Sequence, residues 1–248
     1  MRELNVFCGR GISAEGVLQS LNHLRPCSKQ CLSKVLLTAP HGVQRGIWPD
    51  SDDPCTFEIS HRMDQQLKLN SCLFVATVPR GRGDQNRLGP CEKLNDMWLK
   101  LNTFAPYPKS LCDTFHVDVH SVPLSATHSL NWGQGVNIIH LHGEEEQRSI
   151  ANKFRKILDD ESKTVADLPP ATVVEMGCLP NSTEDQNSNA MIEWSRSRGA
   201  RSLLIEIPTN EVGGVHRFAY GNVEGVESDP TLAFANVLAK AVSRMITR

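Results

Sequence analysis

The chain alternates between short apolar runs of strand length and longer segments with helical periodicity. A short apolar run bounded by turn residues is typical of a buried strand, and apolar residues spaced three and four apart are typical of a packed helix. The predicted strands are residues 34–39, 71–78, 113–120, 135–141, 171–176 and 202–207. The predicted helices are residues 53–67, 94–101, 149–158, 192–198 and 231–246. Strands separated by helices predict an α/β fold with a largely parallel or mixed sheet.

Length and charge narrow the class of protein. The 248 residues suit one large α/β domain or two small ones, and 26 Lys and Arg against 28 Asp and Glu argue against a dedicated nucleic-acid binder. No run approaches the roughly 18 apolar residues of a membrane span. Glu3 and Asn5 interrupt the place where a signal peptide needs an apolar stretch. We therefore expect a cytoplasmic protein whose eight cysteines stay reduced.

Three polar clusters lie where predicted strands end, which is where open α/β sheets usually carry their sites. They contain Pro40-His41-Gly42 with Asp53 after a loop, then residues 83–87, and then Asp118-Val119-His120-Ser121. Two histidines and a carboxylate are a common donor set for a catalytic zinc ion, with water in the remaining position. The same groups let a hydrolytic zinc ion lower the pKa of that water. The clusters are therefore compatible with a metal-dependent hydrolase.

Each cluster also has an ordinary structural interpretation. Asp53 before Pro54 is typical of a helix N-cap followed by proline at the first helical position. His116 and Asp118 share a strand face with His120. Asp118 would orient a ligand, bind a second metal or play a buried structural role, and we expect His116 to be packed or bonded to the backbone.

The order of four short motifs resembles the N-formylglutamate amidohydrolase family, a branch of the zinc carboxypeptidase and deacylase superfamily. The motifs are Pro40-His41-Gly42, Asp84-Gln85-Asn86-Arg87, Asp118-Val119-His120-Ser121 and Ile205-Glu206-Ile207. The resemblance spans roughly residues 34–210. It implies that residues 1–248 form one hydrolase domain of the zinc-exopeptidase type, a mixed sheet flanked by helices on both faces.

The resemblance also implies a set of metal ligands. It makes His41 and His120 the imidazole ligands of the zinc ion. In the carboxypeptidases the third ligand is a glutamate three residues after the first histidine, where this chain has Gln44. The formylglutamate branch carries its acidic residue at the head of the next helix, and Asp53 matches that place best. Glu58, one turn into the helix, is the second candidate.

The remaining motifs imply substrate binding and proton transfer. Asn86 and Arg87 would hold a substrate carboxylate, because a planar guanidinium binds a carboxylate through two parallel hydrogen bonds. Glu206 matches the carboxylate that acts as general base and then as general acid. Glu175, which ends another predicted strand, is its main rival.

These assignments predict a metal-dependent hydrolase that cleaves the amide bond of an N-acyl amino acid, such as N-formylglutamate, next to a free carboxylate. We expect one Zn²⁺ per chain, although other divalent metals accept the same donors. The alternatives are a zinc carboxypeptidase or γ-glutamyl peptide hydrolase, and a non-catalytic binding protein on the same fold, which Gln44 favours. The expected partner is a small acyl-amino acid or short peptide, with no nucleic acid and no membrane, and the oligomeric state is left open.

Overall fold

A computed structural model gives the structure of the chain over most of its predicted elements. It describes residues 34–42, 53, 55–75, 96–105, 107–141, 143–165, 168–176, 190–212, 215–218 and 230–247. The helices in these residues are α1 (Thr56–Leu67), α2 (Asp96–Phe104), α3 (Leu124–Ser129), α4 (Glu145–Ser162), α5 (Ala190–Ser197) and α6 (Pro230–Ile246). The strands are β1 (Val35–Ala39), β2 (Ser71–Val75), β3 (Phe115–Pro123), β4 (Asn137–Leu141), β5 (Thr172–Met176), β6 (Arg201–Val212) and β7 (Val215–Phe218).

The strands form one mixed sheet in the order β2-β1-β3-β6-β4-β5, and β7 pairs with β6. The four strands β2, β1, β3 and β6 are mutually parallel. Strand β4 runs antiparallel to β6 and carries β5 in parallel beside it. This topology confirms the predicted mixed sheet. It also brings the carboxyl ends of β1, β3 and β6 to the same edge, where the motifs that follow these strands meet.

Helices cover both faces of the sheet, as predicted. On one face, Phe115, Val117 and Val119 of β3 belong to the core formed with α1, α4 and α6. On the other face, Leu36 of β1 packs in a second core with α2 and α5, where the rings of Trp98 and Trp194 are 6.0 Å apart. Because side chains alternate along a strand, the polar residues of β3 lie on this second face.

Strand β6 is longer than predicted. The prediction ended it at Ile207, before Pro208, but the strand continues to Val212. Pairing with β4 stops at Glu206, and pairing with β7 starts at Thr209. At Pro208, β6 therefore has a neighbouring strand on one side only. Proline has no backbone N–H, and it is tolerated in a strand at such an edge position.

Helix α4 begins four residues before its predicted start. Glu145 and Glu146 lie in its first turn. Acidic side chains at this end interact favourably with the partial positive charge of the helix N-terminus. These two glutamates thus favour the earlier helix start that the structure shows. No helix in the described part of the chain is long and apolar enough to cross a membrane.

The buried ring of Phe154 on α4 tests the larger core. It is 0% exposed, and its centroid lies 6.1 Å from that of Phe115 on β3. We expect Phe154→Ala to lower the free energy of unfolding by about 3–5 kcal/mol, because the change removes buried apolar area and leaves a cavity. Urea denaturation of the full chain measures this loss.

Leu130→Ala is the control for this experiment, because Leu130 is 47% exposed. Its free energy of unfolding should stay within about 0.5 kcal/mol of the wild-type value. Equal losses for both variants would contradict the assignment of Phe154 to the core.

Candidate metal centre

Three of the predicted site residues lie together in the structure. Among the described residues, the group of His, Cys, Asp and Glu side chains that could hold a metal ion is His41, Asp53 and His120. Each offers one ligand atom, these atoms lie within 4.8 Å of one another, and all three residues are buried. The two imidazole rings meet edge to face, with centroids 5.0 Å apart. The sheet thus brings together ligands that are far apart in the sequence.

The carboxylate of Asp53 is the centre of this group. Its Oδ2 atom lies 3.3 Å from Nδ1 of His41 and 2.8 Å from Nδ1 of His120. Burial alone would raise the pKa of Asp53, but the hydrogen bonds and charges of the two imidazoles outweigh burial and hold the pKa well below its usual range. Asp53 is therefore ionised at neutral pH.

The turn that carries His41 is packed directly against the start of α1. Its Gly42 N–H donates to the carbonyl of Ala39 at 3.1 Å. A Cβ atom on Gly42 would lie 2.9 Å from Cβ of Ala39 and 3.0 Å from Oγ1 of Thr56. The missing side chain of Gly42 therefore lets His41 approach the helix end next to Asp53.

The prediction that Asp53 caps α1 is wrong. The helix begins at Thr56, and its N-cap residue is Cys55, which has φ 71° and makes no side-chain cap hydrogen bond. The Thr56 hydroxyl donates to the backbone carbonyl of Asp53 at 2.8 Å. This bond fixes the Asp53 backbone, while its carboxylate binds the two histidines instead of the helix N-terminus.

Asp118 holds the other nitrogen of His120. The Nε2 atom of His120 lies 3.1 Å from Oδ2 of Asp118, which is 0% exposed. A histidine that binds a metal almost always donates its second ring N–H to a carboxylate, a carbonyl or water. With Nε2–H bonded to Asp118, Nδ1 of His120 would be the ligand atom of a bound metal. This contact fits the first of the three predicted roles of Asp118, that of orienting a ligand.

The donor set fits a divalent cation. Nδ1 of His120 and Oδ2 of Asp53 face each other at 2.8 Å, and both atoms are acceptors when the imidazole is neutral. A cation has to lie between them. In the metal-free chain this cation is a proton on Nδ1. Burial lowers the pKa of His120, but the neighbouring carboxylates raise this pKa well above its usual value, so the imidazole is protonated. Two imidazoles and one carboxylate leave a fourth position open, as catalytic zinc sites do.

Glu206 lies beside this group on the neighbouring strand. It is half-buried and pairs in parallel register with His120. Burial raises the pKa of Glu206 to about 7, with the nearby carboxylates adding to the shift and the imidazoles opposing it. A carboxylate with a pKa near 7 accepts and returns a proton readily at neutral pH.

The other predicted residues lie elsewhere. Glu175 is exposed on β5, in register with His140 of β4, so β4 separates it from β6. Glu58 is half-buried on α1 and does not belong to the group of possible metal ligands found among the described residues. Gln44 and the predicted substrate-binding pair Asn86 and Arg87 lie outside the described residues.

Sequence reasoning missed two residues behind the metal group. Thr38 of β1 donates from its hydroxyl to Oδ1 of Asp118 at 2.5 Å. Ser195 of α5 lies 2.7 Å from Nδ1 of His116. His116 is packed, as one of its two predicted roles requires, and its ring nitrogens bond to side chains and not to the backbone. The parallel pairing of β1 with β3 would have placed Thr38 beside Asp118, but no sequence spacing indicates a contact to α5.

Comparisons with known proteins rest on structure. No protein-family model matches the chain, and no curated protein matches its sequence. The crystal structure of N-formylglutamate amidohydrolase from Ralstonia eutropha JMP134 matches with a TM-score of 0.53 and 14% identity, over 87% of this chain and 93% of that one. The crystal structure of a metallo-carboxypeptidase from Burkholderia cenocepacia matches with a TM-score of 0.43 and 11% identity, over 87% of this chain and 57% of that one. The first match shows that the chain has the predicted α/β fold.

Alanine substitutions test the three ligands. We expect His41→Ala, Asp53→Ala and His120→Ala each to lower bound zinc from about one ion per chain to near zero, because each removes one of three donors. Glu58→Ala is the control and should keep its zinc. Elemental analysis of the purified variants measures the metal, and circular dichroism checks that they fold.

Two outcomes would change the ligand assignment. If Asp53→Ala keeps its zinc and Glu58→Ala loses it, the third ligand is Glu58. If both variants keep the metal, the site does not use three protein ligands of this kind.

Proposed function

We propose that the chain is a metal-dependent hydrolase that cleaves the amide bond of an N-acyl amino acid with a free carboxylate, such as N-formylglutamate. The observation that carries this proposal is the buried group of His41, Asp53 and His120 with Glu206 in register beside it. The fold that the chain has in common with an N-formylglutamate amidohydrolase supports the same conclusion.

The two histidines and Asp53 would hold one zinc ion per chain. When bound, such an ion polarises the carbonyl of the substrate and lowers the pKa of a water molecule at the site. Asp118 contributes by holding the Nε2–H of His120, so that Nδ1 stays available. The donor set is complete without residue 44, so the glutamine there does not by itself argue for a non-catalytic protein.

Glu206 would move the proton. It accepts a proton from the attacking water as the water oxygen bonds to the acyl carbon. It then gives this proton to the nitrogen as the C–N bond breaks, which leaves a carboxylic acid and a free amine. The pKa of Glu206, about 7 in the metal-free chain, lies close to the working pH that such an exchange needs.

Arg87 and Asn86 would bind the substrate carboxylate. A guanidinium makes two parallel hydrogen bonds to a carboxylate, and a bound carboxylate fixes where the scissile amide lies. A panel of N-formyl, N-acetyl and dipeptide substrates tests the proposal through the amine released. Release from N-acyl amino acids that stops with chelator and returns with zinc supports an amidase, whereas release from dipeptides alone makes the chain a carboxypeptidase.

The carboxylate of Glu206 tests the proton-transfer step. Glu206→Gln should keep its zinc but lose kcat by about a hundredfold or more, because an amide of nearly the same shape cannot accept a proton. In the wild type, kcat/KM should fall as the pH drops below the pKa of the base, because a protonated carboxyl no longer accepts a proton. This acidic limb should be absent from the variant.

Glu175→Gln is the matched control, because it makes the same change at an exposed strand position. Its kcat should stay within a few-fold of the wild-type value. Near-normal turnover in Glu206→Gln, or a collapse in Glu175→Gln, would assign the general base to another residue.

The guanidinium of Arg87 tests substrate recognition. Arg87→Lys keeps the charge but loses the paired hydrogen bonds, so kcat/KM for the free acid should fall by a factor that corresponds to a loss of transition-state stabilisation on the order of 2 kcal/mol or more. A substrate with an amidated carboxylate should react poorly with the wild type and be affected little by this change. Equal rates of the wild type on the amidated and free-acid substrates would contradict carboxylate binding by Arg87.

A further inference from the structure

A series of buried hydrogen bonds runs from Asp118 away from the metal group. Oγ1 of Thr38 lies 2.5 Å from Oδ1 of Asp118 and 2.8 Å from Nε2 of His116. Nδ1 of His116 lies 2.7 Å from Oγ of Ser195, and this hydroxyl lies 2.7 Å from Oγ of Ser202. The first four of these residues are 0% exposed and Ser202 is 1% exposed. Three strands and helix α5 contribute residues to this series of hydrogen bonds.

The direction of two of these bonds follows from counting protons. The carboxylate of Asp118 accepts at Oδ1 from the Thr38 hydroxyl. The Thr38 hydroxyl has one proton, and it is donated to Asp118. Thr38 therefore accepts a hydrogen bond from His116, which places a proton on Nε2 of His116.

The other nitrogen of the His116 ring faces helix α5. Burial lowers the pKa of His116 to about 4, so its ring is neutral and Nδ1 carries no proton. Nδ1 is then an acceptor facing the hydroxyl of Ser195, which also lies 3.0 Å from the carbonyl of Ile192 and 2.7 Å from Oγ of Ser202. The two bonds from His116 through Thr38 thus point toward the carboxylate of Asp118.

The Asp118 carboxylate is therefore held on both oxygens. Oδ1 accepts from Thr38, and Oδ2 accepts from Nε2–H of His120. The last torsion of an aspartate side chain is broad, so one hydrogen bond alone would leave the plane of the carboxylate poorly defined. Without the Thr38 hydroxyl, Oδ1 would also be buried without this donor, which is unfavourable.

We propose that Thr38 and His116 are positioning residues of the metal centre. They fix the Asp118 carboxylate in the orientation that accepts Nε2–H of His120, and this leaves Nδ1 of His120 as the metal-binding atom. This inference rests on the proposed function, because it assigns the two residues a role in a metal site.

The test measures the affinity of the purified, metal-free chain for zinc by competition with a chromophoric chelator. Thr38→Val replaces the hydroxyl by a methyl group in a side chain of the same shape, and we expect the zinc dissociation constant to rise about tenfold, the lower end of the range for residues that support ligands. Thr38→Ser restores the hydroxyl and should bind zinc within about threefold of the wild type.

Thr114→Val is the matched control. Thr114 is 1% exposed and immediately precedes β3 at the end opposite His120. Thr114→Val makes the same substitution in a buried residue, and the zinc affinity of this variant should equal that of the wild type. Thr38→Ala serves as a second variant with the same expected loss if Thr38→Val does not fold, as judged by circular dichroism of the metal-free protein.

A double variant separates positioning from a general packing effect. If Thr38 acts through Asp118, Thr38→Val should change the zinc affinity less than twofold when Asp118 is already Asn. An unchanged affinity in Thr38→Val, an equal loss in Thr114→Val, or a persisting tenfold loss in the Asp118→Asn background would overturn the inference and leave the proposed function intact. A wild-type chain that binds no zinc would overturn both.

Discussion

The parallel pairing of β3 with its two neighbours is the constraint on which the site depends. It places Thr38 beside Asp118 on one side and Glu206 beside His120 on the other. A shift of one residue would turn the polar side chains of β3 toward the core of α1, α4 and α6. The apolar residues on that opposite face of β3 are fully buried, so their burial fixes the register. Hydrophobic packing on one face thus determines the chemistry of the other.

The polar face of β3 contains charges that stabilise one another. Asp53 and Asp118 are ionised although they are buried, and His120 contacts both carboxylates. Burying an unpaired charge is strongly unfavourable, whereas a buried charge with hydrogen bonds and a partner is tolerated. These three groups therefore form an interdependent unit, in which loss of one group leaves its partners buried without compensation.

The sequence predicted features that depend on a single strand or motif, but it did not predict side-chain contacts between elements that are distant in the sequence. The alternation along β3 predicted that His116, Asp118 and His120 share a face, and the order of motifs selected His41 and His120 correctly as neighbours. The partners of His116 come from β1 and α5, separated from it by 78 and 79 residues, and only the folded sheet brings them together. Asp53 shows the opposite case, because its local Asp-Pro signal predicted a cap while its carboxylate binds two distant imidazoles.

The close contact between Gly42 and the start of α1 has a thermodynamic consequence. It packs the turn carrying His41 against the start of α1 next to Asp53, so these two candidate ligands form one packed unit, while His120 belongs to the strand β3. A cation bound by all three would cross-link these units, although 67 residues separate Asp53 from His120 along the chain. Because a ligand that binds only the folded state stabilises it by mass action, the free concentration of the metal would then set how firmly helix α1 is held on the sheet.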